Sequence, residues 1–271
     1  MKKHFWIMVK QFLLYLLLDQ GVALPLMIPL VIYGVIKGYK GEAMQELLTT
    51  SSGALCVMIL CSILTIAVFL KKRYVKIKPG CIERSNFKKA AGYAMLIAWG
   101  WMFTEAALLQ LLGINKFFPE EKEHFDMMVK MMTSPLGLIA GGILAPIVEE
   151  IVFRGVLVGG LLRMRQKPWV AIVVPALIFA LFHGTFTQFV GTAIFGIICG
   201  WLYWRTKSLL PGILIHITNN STAFGIAAFS EDSNADLPTK ICLLFLIIFP
   251  PLLVIGLRWY KQKRYLRTNT Y

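Results

Sequence analysis

The chain has 271 residues, 57% of them hydrophobic and only 15% charged, with a net charge of +14, a mean hydropathy of +0.67 and a pI near 9.7. These values exclude an ordinary soluble domain and define an integral membrane protein. The positive balance is a property of loops beside anionic lipid headgroups rather than a nucleic-acid footprint.

A span of about 20 apolar residues crosses a hydrocarbon core of about 30 Å. The sequence predicts eight, near 12–36, 53–70, 90–113, 136–162, 169–187, 189–204, 209–228 and 241–257. The fold class is all-α, a polytopic membrane helix bundle of about eight transmembrane helices forming a single membrane domain over 1–271. Only the uncharged segment Gly184 to Gln188 separates the fifth span from the sixth. The first span carries Asp19 and Gln20, lacks a small-residue cleavage pattern and reads as a retained helix rather than a signal peptide. Pro25 and Pro29 are expected to kink it.

Lys and Arg gather on the cytoplasmic side of membrane proteins. Here the amino terminus, 71–89, the connections at 163–167 and 205–207 and the carboxyl tail hold 21 basic residues against the single acid Glu83. The connections at 37–46, 116–130 and 231–240 hold six basic and nine acidic residues. Both termini are therefore predicted to be cytoplasmic, in a multi-pass cell-membrane protein. The charges left inside spans are Asp19, Glu105, Glu149, Glu150 and Arg154. Five cysteines, four in spans and Cys81 in a loop, show no C-x-x-C spacing and indicate neither a disulfide framework nor a cysteine zinc site.

Intramembrane charges are costly, about 2.5–3.5 kcal/mol each at mid-bilayer on insertion scales, and they mark function. The fourth span contains Glu149-Glu150-Ile151-Val152-Phe153-Arg154. Positions four apart share a helix face, so Glu150 is expected to pair with Arg154 while Glu149 projects toward another neighbour. That division makes Glu149 the candidate base or ligand, and Glu150 with Arg154 the brace. The fifth span ends in Phe179-Ala180-Leu181-Phe182-His183-Gly184, and the seventh contains His216-Ile217-Thr218-Asn219-Asn220, which stacks His216 and Asn220 on one face. Asn220 is suited to hold a water or an oxyanion, and Asn219 to interhelical hydrogen bonding.

A carboxylate and two imidazoles are the donor set of a catalytic zinc site, here Glu149, His183 and His216. The same groups also suit metal-free activation of water, with Glu149 taking the proton and Asn220 steadying the oxyanion. Both readings stand on the sequence. The H-E-x-x-H pattern is absent, so a metal would have to be held from three helices.

Taken in order, Glu149, Glu150 and Arg154, then Phe179 and His183, then His216 and Asn220 resemble the E-E-x-x-x-R, F-x-x-x-H and H-x-x-x-N motifs of the CAAX protease and bacteriocin-processing (CPBP, or Abi) intramembrane proteases, related to type II CAAX prenyl endopeptidases. The flanking Phe153-Arg154-Gly155 is also similar. The likeness covers roughly 136–225, the expected catalytic core, and the first three spans carry no motif. It implies an intramembrane endopeptidase in which Glu149 is the catalytic glutamate, His183 and His216 its partners and Asn220 an oxyanion or water contact. It further implies, for a bacterial member, a hydrophobic peptide or membrane-protein substrate, in peptide maturation, bacteriocin immunity or regulation of a sensor protein. Two rivals remain, a non-enzymatic partner of a sensor protein and an ion-coupled transporter using Asp19 and Glu105.

Overall fold

The structure, a computed structural model, describes residues 2–75, 77, 82, 86–118, 129, 131–229 and 237–262. Many charges behind the predicted sidedness, including Lys76, Lys78, Glu83, Arg84, residues 120–126, Lys130, Glu231, Asp232 and Asp236, lie outside the described residues, as do Cys81 and His124. Among the described residues all regular structure is helical. The main helices are α1 (Lys2–Ile36), α2 (Gly41–Thr49), α3 (Ser52–Lys71), α4 (Phe87–Leu111), α5 (Pro135–Arg163), α6 (Pro168–Leu181), α7 (Phe186–Thr206), α8 (Leu210–Phe229) and α9 (Thr239–Gln262). A single turn of helix, Ile114–Phe117, follows α4.

Six of these, α1, α3, α4, α5, α7 and α9, are long and apolar enough to cross a membrane. The two other predicted spans differ for physical reasons. Helix α6 has 14 residues and stops at Leu181, because the chain turns at Phe182-His183 and Gly184 adopts a left-handed φ of 76°. Helix α8 is long enough at 20 residues, but His216, Asn219, Asn220, Ser221 and Thr222 make it polar on the side that meets the bundle.

Local chemistry sets the helix ends. The hydroxyls of Ser51, Ser134 and Thr185 accept the backbone N–H three residues on, at 3.2, 3.0 and 3.3 Å, capping α3, α5 and α7. Pro135 and Pro168 occupy first-turn positions that need no N–H donor.

Helix α5 is the axis of the molecule, and two π-helical stretches, Leu138–Leu144 and Glu150–Val158, interrupt it on either side of Ala145–Glu149. Pro146 offers no N–H to Gly142 four residues earlier. Helix α8 takes up the freed carbonyls: Asn220 Nδ2 donates to Gly141 O at 3.1 Å and Ser221 Oγ to Gly142 O at 3.2 Å. Each such bond within a membrane is worth about 0.6 kcal/mol, so the pair sets register more than it sets stability. With Asn220 and Ser221 fixed, His216 falls one turn along α8, level with Glu149 and Glu150.

Packing elsewhere depends on close helix approach. A Cβ on Gly100 of α4 would come 2.5 Å from the backbone N of Leu253, and one on Gly256 would come 2.8 Å from Tyr93 O, so α4 and α9 touch backbone to backbone. Tyr260 seals that contact by donating to Ala90 O at 2.8 Å.

Candidate active site

Four of the predicted residues come together between α5 and α8. His216, 3% exposed, stands between the two glutamates, with Nδ1 3.2 Å from Glu150 Oε1 and Nε2 3.3 Å from Glu149 Oε2. Arg154 Nη1 lies 2.9 Å from the same Glu150 oxygen. The distance is that of a close ion pair, but Nη1 is off the hydrogen-bond direction, and Glu150 Oε2 and Arg154 Nη2 have no hydrogen-bond partner among the described residues. The expected pairing of Glu150 with Arg154 is therefore present, in a π-helical rather than an α-helical stretch.

Phe179 covers this cluster. Its ring lies under the guanidinium of Arg154, 4.7 Å from centroid to Cζ, and its edge contacts are to Phe153 at 5.0 Å, His183 at 4.7 Å and His216 at 5.8 Å. A desolvated arginine over an aromatic face gains roughly 2 kcal/mol, which offsets part of the cost of burying it. Phe195 also packs against His216, at 5.0 Å.

Gly212 is required by the same geometry. Glu150 Oε2 occupies the space where a Cβ on Gly212 would lie. Gly212→Ala is expected to displace the Glu150 carboxylate and lower stability by about 1–3 kcal/mol, as overpacking of a tight interior does, read as a fall in Tm of the protein in nanodiscs. An unchanged Tm would mean that Glu150 can swing aside without cost.

The two glutamates differ in environment. The Glu150 side chain is 1% exposed and the Glu149 side chain 25%. Glu149 opens onto a cavity of about 340 Å³ between α1, α3 and α5, lined also by Tyr15, Asp19, Gln20, Ser62 and apolar side chains such as Met27 and Met58. The cavity runs from the level of Tyr15 and Ser62 to that of Met27 and Ala54, toward the end of the bundle where α1 finishes and α3 begins.

His183 and Asn220 sit at the border of the cluster. His183 Nδ1 is 3.0 Å from the Phe179 carbonyl of its own helix end, an oxygen that only accepts, so Nδ1 carries the proton and Nε2 is the ring atom left for other work. Asn220 spends one amide hydrogen on Gly141 O and accepts from Asn219 Nδ2 at 3.3 Å, a bond within α8 rather than the interhelical one expected of Asn219. One hydrogen of the Asn220 amide remains.

The ligand set Glu149, His183 and His216 is not assembled. Among the described residues no group of three or more His, Cys, Asp or Glu is placed to hold a metal ion. The Nδ1 atoms of His216 and His183 face a carboxylate and a carbonyl, which leaves Nε2 of each ring as the nitrogen a metal would use, so a three-ligand centre would need those two atoms and Glu149 to draw closer together than they stand.

Sequence reasoning did not connect Tyr15, Asp19, Gln20 and Ser62 with Glu149. The available signal was position: Asp19 is the central residue of α1 and Glu149 the central residue of α5, which puts both acids at one depth.

Comparison with known proteins agrees with the motifs. Residues 132–222 match the family model for Type II CAAX prenyl endopeptidase Rce1-like proteins. That segment contains the whole bonded cluster, and the resemblance to the CPBP proteases stands: this is a polytopic, all-α, multi-pass membrane protein similar to CAAX-type peptidases. It is 22% identical over 229 residues to a Bacillus subtilis (strain 168) protein named "Putative membrane peptidase YdiL", covering 82% of this chain and 88% of that protein. No solved structure matches the chain.

Proposed function

We propose that this protein is an intramembrane endopeptidase that cleaves a hydrophobic peptide or membrane-protein segment with water activated at Glu149. The observation that carries the reading is that Glu149 both stands beside His216 of the motif cluster, at 3.3 Å, and lines the cavity. It can meet a substrate while Glu150 and Arg154 cannot.

A carboxylate only accepts hydrogen bonds, so Glu150 orders His216 with its proton on Nδ1 and leaves Nε2 facing Glu149 at 3.3 Å. That is the logic by which a buried acid fixes the tautomer of a catalytic histidine. In the proposed reaction Glu149 takes one proton from water, and the resulting hydroxide forms a C–O bond to the scissile carbonyl carbon. The tetrahedral oxyanion has a donor available nearby in the remaining Asn220 amide hydrogen. Breakdown cleaves the C–N bond, and the proton held at Glu149 returns to the leaving nitrogen, directly or through His216 Nε2. The products are a carboxylic acid and an amine, with no proton left over.

Charge asymmetry of the loops supports cytoplasmic termini, and with that orientation the cavity faces the non-cytoplasmic half of the bilayer. The test is incubation of nanodisc-embedded protein with a mixture of hydrophobic peptides and mass spectrometry of the products. The reading expects cleavage by the wild type and none by Glu149→Gln; no cleavage of any peptide by the wild type contradicts it. Metal content of the same preparation, compared with His183→Ala, His216→Ala, tests the metal-free route. A stoichiometric metal lost in the double variant would replace that route with a rearranged metal site.

A further inference from the structure

The cavity beside Glu149 holds a second carboxylate that the hydrolytic chemistry does not use. Asp19 is the middle residue of α1, and the helix is π-helical over Leu17–Gly21 around it. Its Oδ2 accepts one hydrogen bond, from Gln20 Nε2 at 2.8 Å. Among the described residues no lysine, arginine or histidine is paired with it. The contrast with Glu150 is informative, because that carboxylate, at similar depth, is matched by Arg154 and His216.

A carboxylate at mid-bilayer with no protein counter-ion is an expensive feature. A ligand that supplies a positive charge offsets that cost. The rest of the lining sets the shape of that ligand: Ala23, Met27, Ala54, Val57, Met58 and Val148 are apolar, so the charged group has to arrive on an apolar chain. A cavity of about 340 Å³ lies at the lower end of small-ligand sites, which suits one long side chain and its neighbours and not a folded domain.

We infer that Asp19 forms a cation subsite that receives a lysine or arginine side chain, or a terminal ammonium group, of an otherwise apolar substrate peptide. Tyr15, Gln20 and Ser62 supply hydrogen-bonding atoms around the same space, and the methionines accommodate the aliphatic stem. The inference deepens the peptidase reading by adding a specificity element, and it rests on that reading for the word substrate. Asp19 is a binding residue and takes no part in the proton transfers at Glu149.

The test separates binding from cleavage. Full-length Glu149→Gln protein in zwitterionic nanodiscs, in which Asp19 is the remaining carboxylate of the cavity lining, is titrated with two fluorescent leucine–alanine peptides. One carries a single central lysine and the other norleucine at that place; anisotropy is read against empty discs. The lysine peptide is expected to bind at least roughly tenfold more tightly, the scale of one charge-assisted hydrogen bond. Adding Asp19→Asn is expected to abolish the gap while leaving norleucine binding unchanged, and Asp19→Glu to preserve the gap. Equal binding of the two peptides, a gap that survives Asp19→Asn, loss of both peptides in that variant, or no binding of either peptide overturns the subsite. Cleavage by the wild type without a lysine preference removes only this inference, whereas a lysine preference in binding with no cleavage removes only the peptidase reading.

Discussion

Glu149→Gln is expected to lower kcat/KM by about 10²- to 10⁴-fold, the range for removal of a general base, with little change in Tm. Glutamine keeps the size of the side chain and one oxygen, but it cannot take a proton from water. The stability expectation follows from position: the Glu149 side chain is 25% exposed on a cavity and touches the cluster only through His216 Nε2 at 3.3 Å. Loss of rate with retention of fold separates a reacting group from a brace. The check is the initial rate of peptide cleavage together with thermal unfolding in nanodiscs. Wild-type rates would remove Glu149 from the mechanism, and a large fall in Tm would reassign it to structure.

Arg154→Ala is expected to do the reverse, with its first effect on stability. Arg154 is 2% exposed and its partner Glu150 is completely buried, so truncating the arginine leaves an anion in the interior without its cation. Breaking one side of a buried ion pair costs about 3–5 kcal/mol, equivalent to a fall in Tm of roughly 10 °C. Activity should fall as well, because Glu150 then loses the cation that holds it against His216 Nδ1 at 3.2 Å. Glu150→Gln combined with Arg154→Met should recover much of the lost Tm, since removing both charges leaves no unpaired ion, yet should not recover activity. The measurement is Tm and cleavage rate for the two proteins side by side. A stable Arg154→Ala protein would show that the pair does not hold the site.

The cluster itself was legible from spacing. Glu150 and Arg154 stand four positions apart, and that interval put them on one face whether the helix is α or π. Legible too were the bounds of the apolar spans, with α5 over Pro135–Arg163 against an expected 136–162. The two π-helical stretches were not foreseen, because no residue type encodes them; Pro146 was the one sequence sign that a carbonyl at Gly142 would need another partner.

His183 and Asn220 each have a backbone partner that was not foreseen, for a shared reason. Both were assigned from side-chain chemistry, which cannot show that a nearby backbone oxygen competes for the same donor. His183 Nδ1 faces Phe179 O and the Asn220 amide faces Gly141 O. Asp19 was noticed as an intramembrane charge and grouped with Glu105 as a sign of transport. In the fold Asp19 lines the Glu149 cavity, whereas the Glu105 carboxylate lies where a side chain on Gly191 of α7 would be. Helix pairing brought Asp19 to the site, and α1 and α3 carry no motif from which that pairing could be read.

The account stands on water being split at Glu149, and cleavage in ¹⁸O-labelled water tests this most directly. Hydrophobic peptides are incubated with wild-type and Glu149→Gln protein in nanodiscs and the new carboxyl termini are weighed by mass spectrometry. The prediction is ¹⁸O in the carboxyl group created by the wild type and no product from Glu149→Gln. Labelled product at the same rate from both proteins, or none from the wild type, would contradict it.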